Sequence, residues 1–180
     1  SSPVQAPFGA NGKIAAIARE IATDSDVNKG FALDLGCNDG RLVYELTKAT
    51  DLHIIGVDSD WDKVTEARTI LSAAGVYGTR ATIIHTDLAT PLLPSYFANL
   101  IVSARSVNGD KPPVNAERML RPYGDVYAVS KPGNTIHTRR GPLPGAGSWT
   151  HQYSNPANTT CSDDQLVKGP LGMLWFRDLG

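Results

Sequence analysis

Three aspartates and one glycine-punctuated turn carry the chemistry available to this chain. Asp34 lies in an apolar run, Phe31-Ala32-Leu33-Asp34-Leu35, which leads at once into Gly36-Cys37-Asn38-Asp39-Gly40. Asp58 ends a second apolar run, Leu52 to Val57, and Asp87 follows a third, Ala81 to His85. Acids at the ends of successive parallel strands share one rim of a sheet, and three carboxylates there suit a ligand rich in hydrogen-bond donors. The glycines let backbone approach a ligand where a side chain would block it, and the helix that follows opens on free N–H groups. A lone acid at a strand end is as readily a cap or a solvated loop residue; three with the turn argue for a site.

The spacing narrows the ligand. Asp58 stands 18 residues after Gly40, where a carboxylate at the end of the second strand accepts from the two hydroxyls of a ribose. Asp87 is placed to accept from an adenine amino group. A dinucleotide turn reads G-x-G-x-x-G, its second glycine admitting the pyrophosphate, whereas here Asn38 takes that position with an acid beside it. The G-x-x-x-x-G-K-[ST] pattern of ATP and GTP sites is absent. A nucleoside cofactor without phosphates therefore fits better than NAD.

The elements that must hold these residues alternate between strand and helix, the pattern of a doubly wound parallel sheet covered on both faces. Ile14, Ile17, Ala18 and Ile21 recur at helical spacing behind Asn11 as a cap. Phe31–Leu35 is the first strand, Leu42, Val43 and Leu46 mark the inner face of the next helix, and 52–57 is the second strand. Ser59 caps a helix with Trp61, Val64, Ala67, Ile70, Leu71 and Ala74 facing the sheet until Gly75 ends it. Residues 81–85, 100–103 and 125–129 supply three more strands, the last preceded by a short helix over 114–120. The ligand then sits beyond the carboxyl ends of the strands, at the switch point.

Charge and composition set the outer bounds. At 180 residues there is room for one domain with a real core, and 17 Lys plus Arg against 18 Asp plus Glu leave no field that indicates nucleic acid. No apolar run reaches membrane-spanning length, so the chain reads as soluble, and two cysteines make neither a disulfide framework nor a metal-ligand spacing. His137, His151 and Cys161 fit no known zinc pattern. Residues 1–130 hold 17 of the 29 glycines and prolines and the last 50 residues hold 12, almost twice the density. The sequence thus divides into a regular part, 1–130, and an irregular Gly/Pro-rich tail, 131–180.

These motifs resemble the class I S-adenosylmethionine-dependent methyltransferases over roughly residues 12–130. Leu33-Asp34-Leu35-Gly36-Cys37-Asn38-Asp39-Gly40 is similar to their first motif, Gly56-Val57-Asp58-Ser59 to the acidic second-strand motif, and Thr86-Asp87-Leu88 to the adenine-side motif. Leu120-Arg121-Pro122-Tyr123-Gly124 resembles the loop before their fifth strand. The resemblance implies a Rossmann-like fold and S-adenosylmethionine as cofactor, with Gly36, Cys37, Asn38 and Gly40 around its methionine part, Asp58 at the ribose, Asp87 and Leu88 at the adenine, and Asp34 and Ser59 also among the cofactor-binding residues. Asn99 stands where an acid usually opens the fourth strand, bordering the methyl group. Ser103-Ala104-Arg105-Ser106 replaces the Asn/Asp-Pro-Pro-aromatic motif of many amino-group methyltransferases, which disfavours exocyclic amines and glutamine amides as acceptors. His85 and Arg105 could face the acceptor, although a histidine there is commonly structural and an arginine commonly paired with a carboxylate.

The tail carries a narrower resemblance. Val76-Tyr77-Gly78, Leu93-Pro94, Ser148-Trp149-Thr150-His151 through Asp164, Gly169-Pro170 and Leu174-Trp175-Phe176 look like bacterial proteins in which such a domain is attached to a quinoprotein-type (PQQ-like) β-propeller. That resemblance implies a piece of a longer protein, with contact to a propeller domain or a homodimer as its partners. An isolated apolar strand exposes unpaired backbone groups, so either Thr135–Thr138 or Leu171–Phe176 is expected to pair with the open edge of the sheet or with a second copy. The alternative is a tail wrapped over the domain through Trp149, Tyr153 and Trp175. Two function classes follow: a methyltransferase on a small-molecule or protein acceptor, or a non-catalytic, cofactor-binding or structural module of a larger propeller protein. The methyl donor is a cytoplasmic metabolite, which indicates the cytoplasm for a working transferase, whereas propellers of this type often lie outside the inner membrane, in the periplasm or secreted.

Overall fold

The computed structural model describes residues 7–8, 12–107, 116–131, 134–148, 156–157 and 163–166. In chain order the elements are α1 (Gly12–Ser25), β1 (Phe31–Leu35), α2 (Arg41–Ala49), β2 (His53–Asp58), α3 (Trp61–Ala73), β3 (Ala81–His85), β4 (Ala98–Val102), α4 (Ala104–Val107), a 3-10 turn (Ala116–Arg118), β5 (Leu120–Lys131) and β6 (Asn134–Arg139). The six strands form one sheet in the order β3-β2-β1-β4-β5-β6. All pairings are parallel except β5 with β6. The order reverses between β1 and β4, which makes the crevice at their carboxyl ends the switch point.

The central strands are buried on both faces, and successive side chains along them fall alternately into two separate clusters. Ala32, Ile54, Leu100 and Val102 pack with Ile17 and Ile21 of α1, Leu42 and Leu46 of α2, and Val64, Ala67 and Leu71 of α3. Leu33, Leu35, Val57 and Ile101 point the other way, onto Leu88, Met119 and Leu120, with Leu93 and Phe97 beside them. The helices α1 to α3 thus cover one face, while the described cover on the second face comes from connecting segments and strand ends.

Three local expectations are revised. Asp60 rather than Ser59 caps α3, accepting from the Asp62 amide at 3.0 Å. Of the helix expected over 114–120, the described residues form the 3-10 turn, because Leu120 already pairs with Ala98 as the start of β5. Asn99 sits at the amino end of β4, where its Oδ1 accepts from the Phe31 amide at 3.2 Å, so it ties strand starts together far from the ligand rim. The expected stop of α3 holds: Gly75 takes φ of 72° and its amide bonds Ser72 O. The Asn11 cap lies outside the described residues.

The sheet continues across the composition change at 131. Thr135–Thr138, one of the two segments the sequence offered for the open edge, pairs antiparallel with β5, Val126 opposite Thr138 and Ala128 opposite Ile136. Arg139 stands opposite Asp125, its Nε 3.9 Å from Oδ1, so an opposite-charge pair supports the register. One compact unit spans Ser1–Gly141 and a second spans Pro142–Gly180. In the second, Gln165 donates to Gly145 O at 2.7 Å and Ser148 to Asp163 Oδ1 at 3.0 Å. Trp149, Tyr153, Cys161 and Leu171–Phe176 fall outside the described residues. No described helix is long and apolar enough to cross a membrane.

Ile54 is fully buried between α2, α3 and the sheet. Ile54→Ala is expected to lower the unfolding free energy by about 2–5 kcal/mol, measured by denaturant titration. A loss near zero would show that this face of the sheet is not packed as described.

Candidate cofactor site at the β1–β4 switch point

The glycine turn is folded against the end of β2. Val57 O accepts from both Gly36 N at 2.8 Å and Cys37 N at 3.0 Å, so two successive amides share one carbonyl. Asp58 then fixes the turn from the side: Oδ2 accepts from Asn38 N at 3.1 Å, and Oδ1 accepts from Asp60 N at 3.1 Å. Gly36 at φ 79°, Asn38 at 49° and Gly40 at 78° turn the chain through the left-handed region, which Asn tolerates better than most residues. Asn38 Oδ1 also accepts from Lys63 Nζ at 3.1 Å, a bond from α3 that no local pattern announced.

The switch point is closed by two bonds from the residues after β4. Ser103 Oγ donates to Leu35 O at 2.6 Å, and Ala104 N donates to Asp34 Oδ1 at 2.8 Å. Asp34 is fully buried, and its Oδ2 has no hydrogen-bond partner among the described residues. Desolvation raises its pKa to about 7, offset in part by the Ala104 amide and reinforced by the negative charges of Asp58 and Asp39. A buried carboxyl with one vacant oxygen at the carboxyl end of the central strand fits a ligand that brings a cationic donor.

The other nominated residues divide by exposure. Cys37 turns inward, beneath Gly56, where an added Cβ would come within 3.0 Å of the Cys37 Cβ; burial pushes its thiol pKa up and leaves it inert. Gly40 permits the approach of α3, since a Cβ there would lie 3.1 Å from that of Ala67. Ser59 is exposed and its carbonyl meets His85 Nε2 at 3.1 Å. Asp87 closes a local turn, accepting from Ala89 N at 2.9 Å and Thr90 Oγ1 at 3.1 Å, and Leu88 packs into the second face. A cavity of about 320 Å³ opens beside the turn, lined among others by Ile14, Asn38, Asp39, Lys63 and Ala104. Of the nominated residues only Asn38 reaches it.

Arg105 occupies the mouth of the site. Its Nη2 lies 3.7 Å from Asp58 Oδ1, the carboxylate-paired arrangement that the sequence left open beside an acceptor role. Its stem runs over Gly36, where an added Cβ would meet Cδ and Nε at 2.6 Å.

Residues 32–133, more than half of the chain, match the family model of a methyltransferase domain. The chain belongs to that family, and the cofactor of this class I Rossmann-like fold is S-adenosylmethionine. A sterol 24-C-methyltransferase of Neurospora crassa is 25% identical over 120 residues, which cover 67% of this chain and 29% of the relative. Among solved structures, an S-adenosyl-L-methionine-dependent methyltransferase of Methanococcus maripaludis aligns with a TM-score of 0.57 at 24% identity, covering 63% of this chain and 53% of that one. The [4+2]-cyclase SpnF aligns at 0.53 with 16% identity, covering 63% and 43%. The chain thus spans about half or less of these proteins, and the likeness to the structures concerns the fold.

Asp34 has a consequence for stability. Its folded pKa, near 7, exceeds the ordinary value of 3.8, so between these limits the folded chain keeps a proton that the unfolded chain has released. Stability is therefore expected to fall as pH rises from about 4 to about 7 and to level off above, by at most on the order of 4 kcal/mol. Asp34→Asn should abolish this part of the slope in denaturant unfolding measured across pH. An unchanged profile would show that Asp34 is ionised in the folded protein.

Proposed function

We propose that the chain binds S-adenosylmethionine along the carboxyl ends of β1 and β2 and acts as a methyltransferase on an acceptor yet to be identified. The reading rests above all on the vacant buried oxygen of Asp34 beside the Asp58-braced glycine turn. In this reading Asp58 takes the ribose hydroxyls through lone pairs not used by the Asn38 and Asp60 amides. Gly36 and Asn38 present backbone to the methionine part, with Cys37 and Gly40 shaping the turn from behind. Asp34 offers its free oxygen to the ammonium end, and Ser59, Asp87 and Leu88 border the adenine. The cofactor supplies a methyl group on a sulfonium, open to in-line displacement. For such a displacement the chain's part is to hold and orient, and a base is required only where the acceptor must lose a proton.

A second reading keeps the fold and drops the transfer: a cofactor-binding or structural module, in the propeller-attached arrangement that the tail resembles. The Arg105 side chain lying over Gly36 and against Asp58 favours it. Calorimetric titration with S-adenosylmethionine, S-adenosylhomocysteine and NAD separates the possibilities. Binding of the first two and not of NAD is expected, with Asp58→Ala weakening affinity more than tenfold, about the loss of one charge-assisted hydrogen bond. Absence of heat with all three ligands would remove the cofactor assignment, and unchanged affinity in Asp58→Ala would remove Asp58 from the site.

A further inference from the structure

One side chain covers two of the stations that the proposed function gives to the cofactor, Gly36 and Asp58. Arg105 belongs to the short helix α4 that follows β4, and its stem crosses the switch-point crevice to lie directly on the backbone of Gly36. A Cβ added to Gly36 would fall 2.6 Å from Cδ and Nε and 2.7 Å from Cγ, so no ligand atom fits between that backbone and the stem. The guanidinium ends 3.7 Å from Asp58 Oδ1, and the carboxylate beneath it is wholly buried. The stem on the glycine face and the guanidinium at the strand-end acid stand where the methionine part and the ribose of the ligand are expected.

The geometry points to Arg105 as a latch on the cofactor cleft. With its side chain in this position the cleft is closed, and it must rotate outward before S-adenosylmethionine can cover Gly36 and reach Asp58. The backbone of α4 stays in place during that rotation, because Ala104 N is held by Asp34 Oδ1 at 2.8 Å and Ser106 N by Ser103 O at 3.1 Å. The movement is confined to side-chain torsions, and the arginine side chain is 32% exposed, so its head has a path into water. A partly exposed ion pair at 3.7 Å is weakly held. The latch therefore tunes affinity rather than abolishing it, multiplying it by the fraction of time the cleft is open.

The inference rests on the cofactor reading, and the experiment separates the two. S-adenosylmethionine and S-adenosylhomocysteine are titrated calorimetrically into the wild type, Arg105→Ala and Arg105→Met, with folding of each variant checked by circular dichroism. Arg105→Ala is expected to bind both ligands on the order of three- to tenfold more tightly than wild type. Arg105→Met, which keeps a stem over Gly36 but loses the charge, should gain less. In the wild type the arginine Nε–H resonance of Arg105 should shift in step with saturation, a readout that needs no variant. Equal or weaker binding by a folded Arg105→Ala, or an Nε–H signal unmoved at saturation, would overturn the latch and leave the cofactor site standing. Binding by neither the wild type nor the folded variants would overturn the cofactor site and the latch together.

Discussion

The carboxylate of Asp58 is the constraint on which the rest of this site depends. It is wholly buried at the end of β2, yet it accepts from the amide that shapes the glycine turn, accepts from the amide before α3, and faces the guanidinium that follows β4. Burying a charge is tolerated only where hydrogen bonds and opposite charge replace water; here two backbone amides donate and the Arg105 guanidinium adds an ion pair. The turn, the start of α3 and the position of Arg105 are therefore consequences of one side chain. Two backbone amides leave part of its accepting capacity free, and that remainder is what a diol would use.

Asp34 shows what happens to a neighbouring acid given less support. It sits one strand away in the same buried layer, its β1 position paired with Gly56 of β2. A single backbone amide serves one of its oxygens, and burial lifts its pKa to about 7. A cation brought near Asp34 would favour its ionised form, whereas Asp58 already has Arg105 as its counter-ion. The division of partners between the two acids leaves the unmet electrostatic demand at the centre of the switch point.

The parts of this arrangement that are local were legible in the sequence. The bounds of β1 and β3 follow directly from apolar runs bounded by glycine or polar residues, and the acids at strand ends from where those runs stop. The open sheet edge marked Thr135–Thr138 and Leu171–Phe176 alike as strands to cover it, and the pairing of Thr135–Thr138 with β5 meets one of these alternatives. What escaped depends on the crossover. Asn99 was placed by analogy beside the methyl group, but β4 runs parallel to β1 and carries position 99 to the opposite end of the sheet. Cys37 and Gly40 lie in the turn, but their burial against Gly56 and α3 is set by helix–sheet packing. Lys63 reaches Asn38 across 25 positions and Arg105 reaches Asp58 across 47, separations that carry no periodic signal.

The residues after β4 decide how the two halves of the rim relate. Ser103 reaches back to Leu35, Ala104 to Asp34 and Arg105 to Asp58, so all three turn toward β1 and β2. None of these contacts is a proton relay: one is a hydroxyl held by a carbonyl, one an amide, one a guanidinium that stays charged. A rim built this way suits a reaction whose rate comes from alignment, since in-line displacement at a methyl group needs its partners held at the right distance and angle more than it needs a base. The same three contacts couple the two halves physically. Whatever draws Arg105 off Asp58 leaves the backbone bond between Ala104 and Asp34 in place, so the cleft can open without loosening the strands that form it.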